Sequence, residues 1–436
     1  MAIQNPVIFL PGIQGSTLRD SYPVDPDTVW SVLRRDEGRA ALHPDDLRYE
    51  LLGPARVQPD SVFRIVYGDL IEELRTELSQ PDRPTPVWPF AYDWRMPLAR
   101  TVERLEGFVE EVIDRTSLLR HYFRSGYADA PKVDLVAHSM GGLLVAGYLA
   151  KTGARARVGK VVTLATPFRG SLEAPIKAVT GTAELGDAEP NPRDRFAARL
   201  TPALYHLLPE FDGAVSADEG IPSNLFKAEA WQPSVFGSIA DAIRMHGKGL
   251  VGTQGERLEA ARALVSAMLA EARAFRNQVE AFRLEDGGLS PNDWLCIVGV
   301  DAETRVHLRI ARERRGPWFD LRGDDRMNRW RASDPAARRR TGDGTVPYLG
   351  ARAPFLPEEK LVCLRPRDLG YWEIGDRLVR RVAGFHAGLP AMNLVHRLTA
   401  AFLLGEPNRK GIWGRRPPGV PADAWDPPIP GLEGKG

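Results

Sequence analysis

Residues 136–142 read Val136-Ala137-His138-Ser139-Met140-Gly141-Gly142. An apolar run stops, a serine follows, and small residues open a segment that reads as a helix to about Lys151. This is the pattern of a nucleophile elbow, a sharp strand-to-helix turn that exposes a serine at the rim of a sheet. The residues two before and two after the serine must be small for the backbones to pass, and Ala137 and Gly141 satisfy that. Alanine stands where such turns usually carry glycine, one methyl larger. Ser139 also opens a helix, whose dipole favours a developing negative charge. The bland alternative is a chance Ser-x-Gly between strand and helix.

Working outward, the flanking segments alternate between the two regular structures. Lys132–Val136 precedes the elbow as a strand, and Lys160–Leu164 is the next one. Val7–Leu10 is a short buried strand stopped by Pro11-Gly12, and Val87–Trp94 reads as a second. Helices are expected over 62–78 and over 98–125, the latter with Leu105, Phe108, Val109, Val112 and Ile113 as its apolar stripe. Strands return at Trp294–Gly299 and Lys360–Leu364, and a last helix covers about 389–404. Alternating strand and helix imply an α/β fold with a mostly parallel central sheet and helices on both faces.

Two stretches break that rhythm. Residues 16–60 are polar and Pro-rich and read as a long irregular insertion. From Thr166 to Leu284 the strands stop, and Leu258, Ala261, Val265, Met268, Ala272, Phe275, Val279 and Phe282 mark one face of a long amphipathic helix. The expected organisation is a core over 1–165, a largely helical cap or lid insertion over 166–284, the rest of the core over 285–405, and a Pro/Gly-rich tail over 406–436. That tail is too poor in apolar residues to fold alone.

Composition narrows the function class. The chain has 436 residues, room for two or three domains or one large α/β domain with insertions. Apolar residues at 43% and charged residues at 26% exclude wholesale disorder, collagen and coiled-coil fibre. The net charge of +1 gives no reason to expect nucleic acid as a partner. Two cysteines, Cys296 and Cys363, exclude a disulfide scaffold. No apolar stretch is long enough to span a membrane, and residues 1–6 lack the charged region of a secretory signal. A cytoplasmic location with reduced thiols is expected. Nothing in the sequence calls for a cofactor or a metal.

A nucleophilic serine needs a base, and the base needs an acid. Of eight histidines, His138 is the serine's neighbour and points elsewhere, and His396 falls inside the last helix. His386 follows the last strand and precedes that helix, which makes it the candidate base. The acid should lie between serine and histidine in the chain, and Asp343 sits there on a Gly-Asp-Gly turn. A plain turn is the ordinary use of Asp-Gly. The oxyanion hole needs the amide after the nucleophile, Met140, and one from the loop after an early strand. Pro11-Gly12-Ile13-Gln14-Gly15 suits that role, with Ile13 as the donor ahead of Gln14.

These segments together resemble the lecithin:cholesterol acyltransferase family, which includes the lysosomal-type phospholipase A2 enzymes. The matching stretches are 9–18 (FLPGIQGSTL), 90–95 (FAYDWR), 137–142 (AHSMGG), 164–171 (LATPFRGS), 201–209 (TPALYHLLP), 342–347 (GDGTVP) and the His386 segment. They follow the family's order and span about 9 to 400. The resemblance implies an α/β-hydrolase fold with a cap and a Ser139–His386–Asp343 triad that forms an acyl-enzyme from an ester. The family's secreted members carry a signal peptide and disulfides that this chain lacks, so cholesterol esterification in plasma is not implied.

The remaining features concern substrate. Asp93 and Arg95, with Tyr92 and Trp94, are placed to pair beneath the site as structural support. Phe226, Trp231 and Phe236 cluster among the breakers Pro222, Pro233 and Gly237, which suits either a lid over a lipid or the cap's own core. Residues 305–340 hold twelve arginines against five acids, with Trp318, Phe319 and Trp330 interleaved. That suits transient contact with an anionic membrane surface, or a solvated face laced with ion pairs. The expected activity is a serine acyl hydrolase or O-acyltransferase on lipid esters. An interaction protein on an inactive hydrolase fold and an amidase or peptidase are the rivals.

Overall fold

The computed structural model describes residues 3–31, 34–43, 56–181, 192–247, 252–323, 325–369, 384–407 and 411–435. In chain order the strands are β1 (Val7–Leu10), β2 (Ser16–Asp20), β3 (Asp27–Trp30), β4 (Val57–Val62), β5 (Val87–Pro89), β6 (Val133–His138), β7 (Val158–Leu164) and β8 (Val215–Ala217). They continue as β9 (Trp294–Gly299), β10 (Thr304–Arg305), β11 (Leu308–Glu313), β12 (Gly316–Asp320), β13 (Arg326–Met327), β14 (Leu361–Leu364), β15 (Trp413–Arg415) and β16 (Glu433–Lys435).

Eight of them form the central sheet, in the order β16-β15-β14-β9-β7-β6-β1-β5. All neighbouring pairs from β5 to β14 run parallel, and β15 joins β14 antiparallel. β1, β6, β9 and β14 are buried at every position. That is what a parallel strand covered by helices on both faces requires. The order reverses around β1, which has β5 on one side and β6 on the other. A crevice opens at the carboxyl ends of strands at such a switch. The loop after β1 and the turn after β6 both lie there.

The expected helix around residues 258–282 is Gln254–Ala281, opened by a capping box between Thr253 and Glu256. Its buried face includes Ala261, Val265, Met268, Ala272, Phe275 and Val279.

Three expectations are revised. Residues 16–60 are not irregular throughout: β2, β3 and β4 form an antiparallel sheet, although 44–55 lie outside the described residues. Its period of two is disguised because the inward positions of β2 include Ser16 and Asp20. The strand expected over 87–94 ends at Pro89, because residues 90–95 turn beneath the β1 loop. The helix expected over 98–125 divides into Leu98–Ser117 and Arg120–Arg124. The tail, which cannot fold alone, pairs with the core. β15 and β16 extend the central sheet, and Ile412 and Ile429 are buried. Backbone pairing with an existing edge replaces the apolar core that the tail lacks.

The stretch between β9 and β14 also leaves the central sheet. β11 pairs with β12 and, in parallel, with β8 from the preceding insertion. Arginines of this segment are paired in part, as in Arg309 with Asp218 and Arg339 with Glu358. Phe319 and Trp330 are buried, whereas Trp318 is exposed. No helix among the described residues is long and apolar enough to cross a membrane.

Candidate active site

Ser139 follows β6 and precedes the helix Met140–Thr152 with φ 52° and ψ −125°. A positive φ is strained for a residue with a Cβ and persists only where the surroundings enforce it. Here they do. A Cβ on Gly141 would lie 2.7 Å from the carbonyl oxygens of Leu10 and Pro11, so the turn presses directly on the β1 loop.

Three distant segments meet at this turn. His386, in a helical turn over 384–388, places Nε2 2.9 Å from Ser139 Oγ. Its Nδ1 lies 2.7 Å from Asp343 Oδ2. The other carboxylate oxygen of Asp343 accepts from the amides of Thr345 at 2.9 Å and Val346 at 2.7 Å. All three side chains are buried. Asp343 packs closely on the end of β9, where a Cβ on Gly299 would come within 2.5 Å of Asp343 Cβ. The acid loop is also tied to the segment after β7, through the Ser171 hydroxyl donating to the Thr345 carbonyl at 2.5 Å.

The β1 loop lies against the nucleophile. A Cβ on Gly12 would meet Ser139 Cβ at 2.9 Å. Gln14 has a positive φ of 61°, which turns the loop back so that the Gly15 amide reaches the Gly12 carbonyl at 3.0 Å. Among the described residues the amides of Ile13 and Met140 have no acceptor within the chain.

Residues 92–95 hold this loop from below. The Tyr92 hydroxyl donates to the Pro11 carbonyl at 2.8 Å, and the Trp94 indole donates to Ser16 O at 3.3 Å. Arg95 is fully buried and forks onto Asp93 at 2.9 and 2.6 Å, with its third nitrogen on the Ala40 carbonyl. Burial pushes the Tyr92 phenol well above its usual range, so it stays a donor.

The aromatic cluster at 226–236 is largely packed inside the protein. Trp231 and Phe236 are buried, with Trp231 against Tyr205 and Phe319 at ring separations of 5.7 and 5.4 Å. Phe226 is half-buried, with the Arg273 guanidinium 5.4 Å from its ring centre. Trp231 and Phe236 spend their apolar area on internal packing, Trp231 in part against Phe319 of β12. Among the described residues no group of three or more His, Cys, Asp or Glu side chains is arranged to hold a metal. Both cysteines are free and buried, and burial pushes the Cys296 thiol up to about 12.

Residues 65–235 match the family model described as lecithin:cholesterol acyltransferase. Over that stretch the chain is similar to the lecithin:cholesterol acyltransferase family. The acyltransferase-like stretch holds Ser139 and residues 92–95. Asp343 and His386 lie beyond it and are brought in by the fold. The match supports a lipid-acting hydrolase or acyltransferase. Among solved structures, Tle4 in the Tle4–Tli4 complex is 16% identical, with 91% of this chain and 99% of that chain covered at a TM-score of 0.55. That likeness shows the α/β-hydrolase fold. Phospholipase PlaB from Legionella pneumophila is also 16% identical, over 46% of this chain and 32% of that one, with a TM-score of 0.25. No curated protein matches the sequence.

Sequence reasoning missed two members of the site. It set His138 aside as a base and gave Tyr67 no part. Both touch the site through hydrogen bonds. Tyr67 lies on the helix Arg64–Glu77, far from Ser139 in sequence, and its spacing there signals only a buried helix face.

Proposed function

We propose that the protein is a serine acyl hydrolase or O-acyltransferase that acts on lipid esters through an acyl-enzyme. The observation that carries this is the continuous line Ser139 Oγ, His386, Asp343, with separations of 2.9 and 2.7 Å on a strained elbow. His386 Nε2 takes the proton as Ser139 Oγ attacks the ester carbonyl. Asp343 accepts the Nδ1–H bond, which fixes the tautomer and stabilises the imidazolium. The oxyanion is received by the amides of Met140 and Ile13, which are fixed before the reaction begins. Collapse breaks the ester C–O bond, and His386 returns the proton to the leaving alcohol. Water or a second alcohol then attacks the acyl-Ser139 ester by the reverse sequence, giving hydrolysis or transfer. No metal or redox partner is needed to balance either half.

The test is lipid profiling and fluorophosphonate labelling of the wild type beside Ser139→Ala. The variant is expected to lose labelling and turnover, by on the order of 10⁶ where a triad acts as a unit. Full turnover with Ser139→Ala refutes the reading, and labelling without any ester turnover favours an amidase.

A further inference from the structure

His138 is buried beside the nucleophile and has no part in the proton transfers above. Its two ring nitrogens are nevertheless both engaged. Nδ1 lies 3.0 Å from the Tyr67 hydroxyl, and Nε2 lies 3.1 Å from the backbone carbonyl of His386. The Tyr67 hydroxyl in turn accepts from the Gly12 amide at 3.1 Å.

The polarity of this line is fixed by chemistry. An amide N–H only donates and a carbonyl only accepts. The Gly12 amide therefore donates to Tyr67, and the His386 carbonyl requires a proton on His138 Nε2. A neutral imidazole then offers Nδ1 as acceptor, and the single phenolic proton of Tyr67 fills it. Burial and the neighbouring His386 hold His138 well below its usual range, so the neutral ring is the one present. The rings also pack in a row, with Tyr67 and His138 5.7 Å apart and His138 and His386 5.0 Å apart.

We infer that Tyr67 and His138 are positioning residues, a buried hydrogen-bonded tie between the β1 loop and the backbone of the base. The inference rests on the triad reading. The tie spends the Gly12 amide on Tyr67 and leaves the next amide, Ile13, for the oxyanion. At its far end it holds the main chain of His386, whose ring must meet both Ser139 and Asp343. At its centre sits the chain neighbour of Ser139. Nucleophile, base and oxyanion loop come from three separated segments, and a reacting constellation tolerates errors of only about half an ångström. A misplacement of about 1 Å costs about 10²-fold in rate.

The experiment measures kcat and KM on a soluble ester for Tyr67→Phe, His138→Leu, His138→Gln and the double variant Tyr67→Phe/His138→Leu, with Ser139→Ala as control and unfolding followed in parallel. Tyr67→Phe and His138→Leu are each expected to lower kcat by about 10²-fold with KM little changed. His138→Gln can accept from Tyr67 and donate to the His386 carbonyl, so it is expected to recover most of kcat. The double variant is expected to lose no more than the worse single one, because members of one network are not additive. Wild-type kcat in folded Tyr67→Phe and His138→Leu, failure of glutamine to rescue, or fully additive losses overturns the inference. If Ser139→Ala retains turnover, the triad reading itself has failed. If only Ser139→Ala loses it, the tie alone has failed.

Discussion

Single residues decide whether the site assembles. Asp343 accepts two backbone amides as well as His386, so its orientation is set before the histidine arrives. Asp343→Asn preserves the shape and presents an amide to His386, favouring the wrong tautomer. A loss of kcat on the order of 10²–10⁴ is expected. Greater sensitivity at Asp325 than at Asp343 in the same assay would reassign the acid. Asp134 illustrates a different constraint. It is buried on β6 and accepts from Gln4, Asn5 and the Lys160 amide, yet burial outweighs these bonds and raises its pKa from 3.8 to about 6. The folded state therefore holds this proton more tightly than the unfolded chain. Its contribution is fully present below about pH 4 and is lost as pH rises through about 6. Urea unfolding of the wild type, taken relative to Asp134→Asn, should weaken by on the order of 3 kcal/mol from about pH 4 to about pH 7. A difference independent of pH contradicts this.

At the scale of elements, legibility followed burial chemistry. β9 and β14 were readable because every position is apolar or small between turn residues, and β6 because the run Leu135–Ala137 leads into the elbow. β2 was not, because Ser16 and Asp20 point inward, Ser16 serving Tyr92 and Asp20 pairing with Arg56. The proposed triad was nominated from order and context, since Ser139, Asp343 and His386 each sit on a turn with its own signature. The Tyr67–His138 tie was not, because nothing local links a helix-face tyrosine to a loop amide 55 residues earlier. The cluster of Phe226, Trp231 and Phe236 could be read two ways, and the burial of its last two rings comes from tertiary packing that no local pattern shows. Trp231 and Phe236 are buried, so Trp231→Ala is expected to cost about 3–5 kcal/mol of stability. Long and short esters should then be affected alike once kcat/KM is normalised to folded protein. A loss confined to long acyl chains would show that Trp231 contacts substrate.

At the scale of the whole molecule, the central sheet is completed by the end of the chain. β15 caps the edge of β14, and the Trp425 indole donates to the Leu361 carbonyl at 2.9 Å. Arg415 grips Asp368 at 3.0 and 2.8 Å, and both side chains are buried. Asp368 follows β14 closely, so this pair fastens the tail to the strand that neighbours β9, the strand bearing the Asp343 packing contact. Removing Arg415 strips two charge-assisted hydrogen bonds from Asp368 and leaves it with Arg365 as its charged partner, which costs about 1.5–3 kcal/mol. Arg415→Ala is therefore expected to lower unfolding free energy by that amount in denaturant titrations. Truncation after Gly405 should cost more, because it also strips the backbone partners from β14 and presents an open apolar edge to other molecules. Light scattering should then rise with protein concentration for the truncated chain and stay flat for Arg415→Ala. The proposed nucleophile and oxyanion loop lie at the carboxyl ends of β6 and β1, at least three strands from β14, so the folded fraction of Arg415→Ala should keep the wild-type kcat. If Arg415→Ala unfolds like the wild type, the tail is held by strand pairing alone and the ion pair adds nothing.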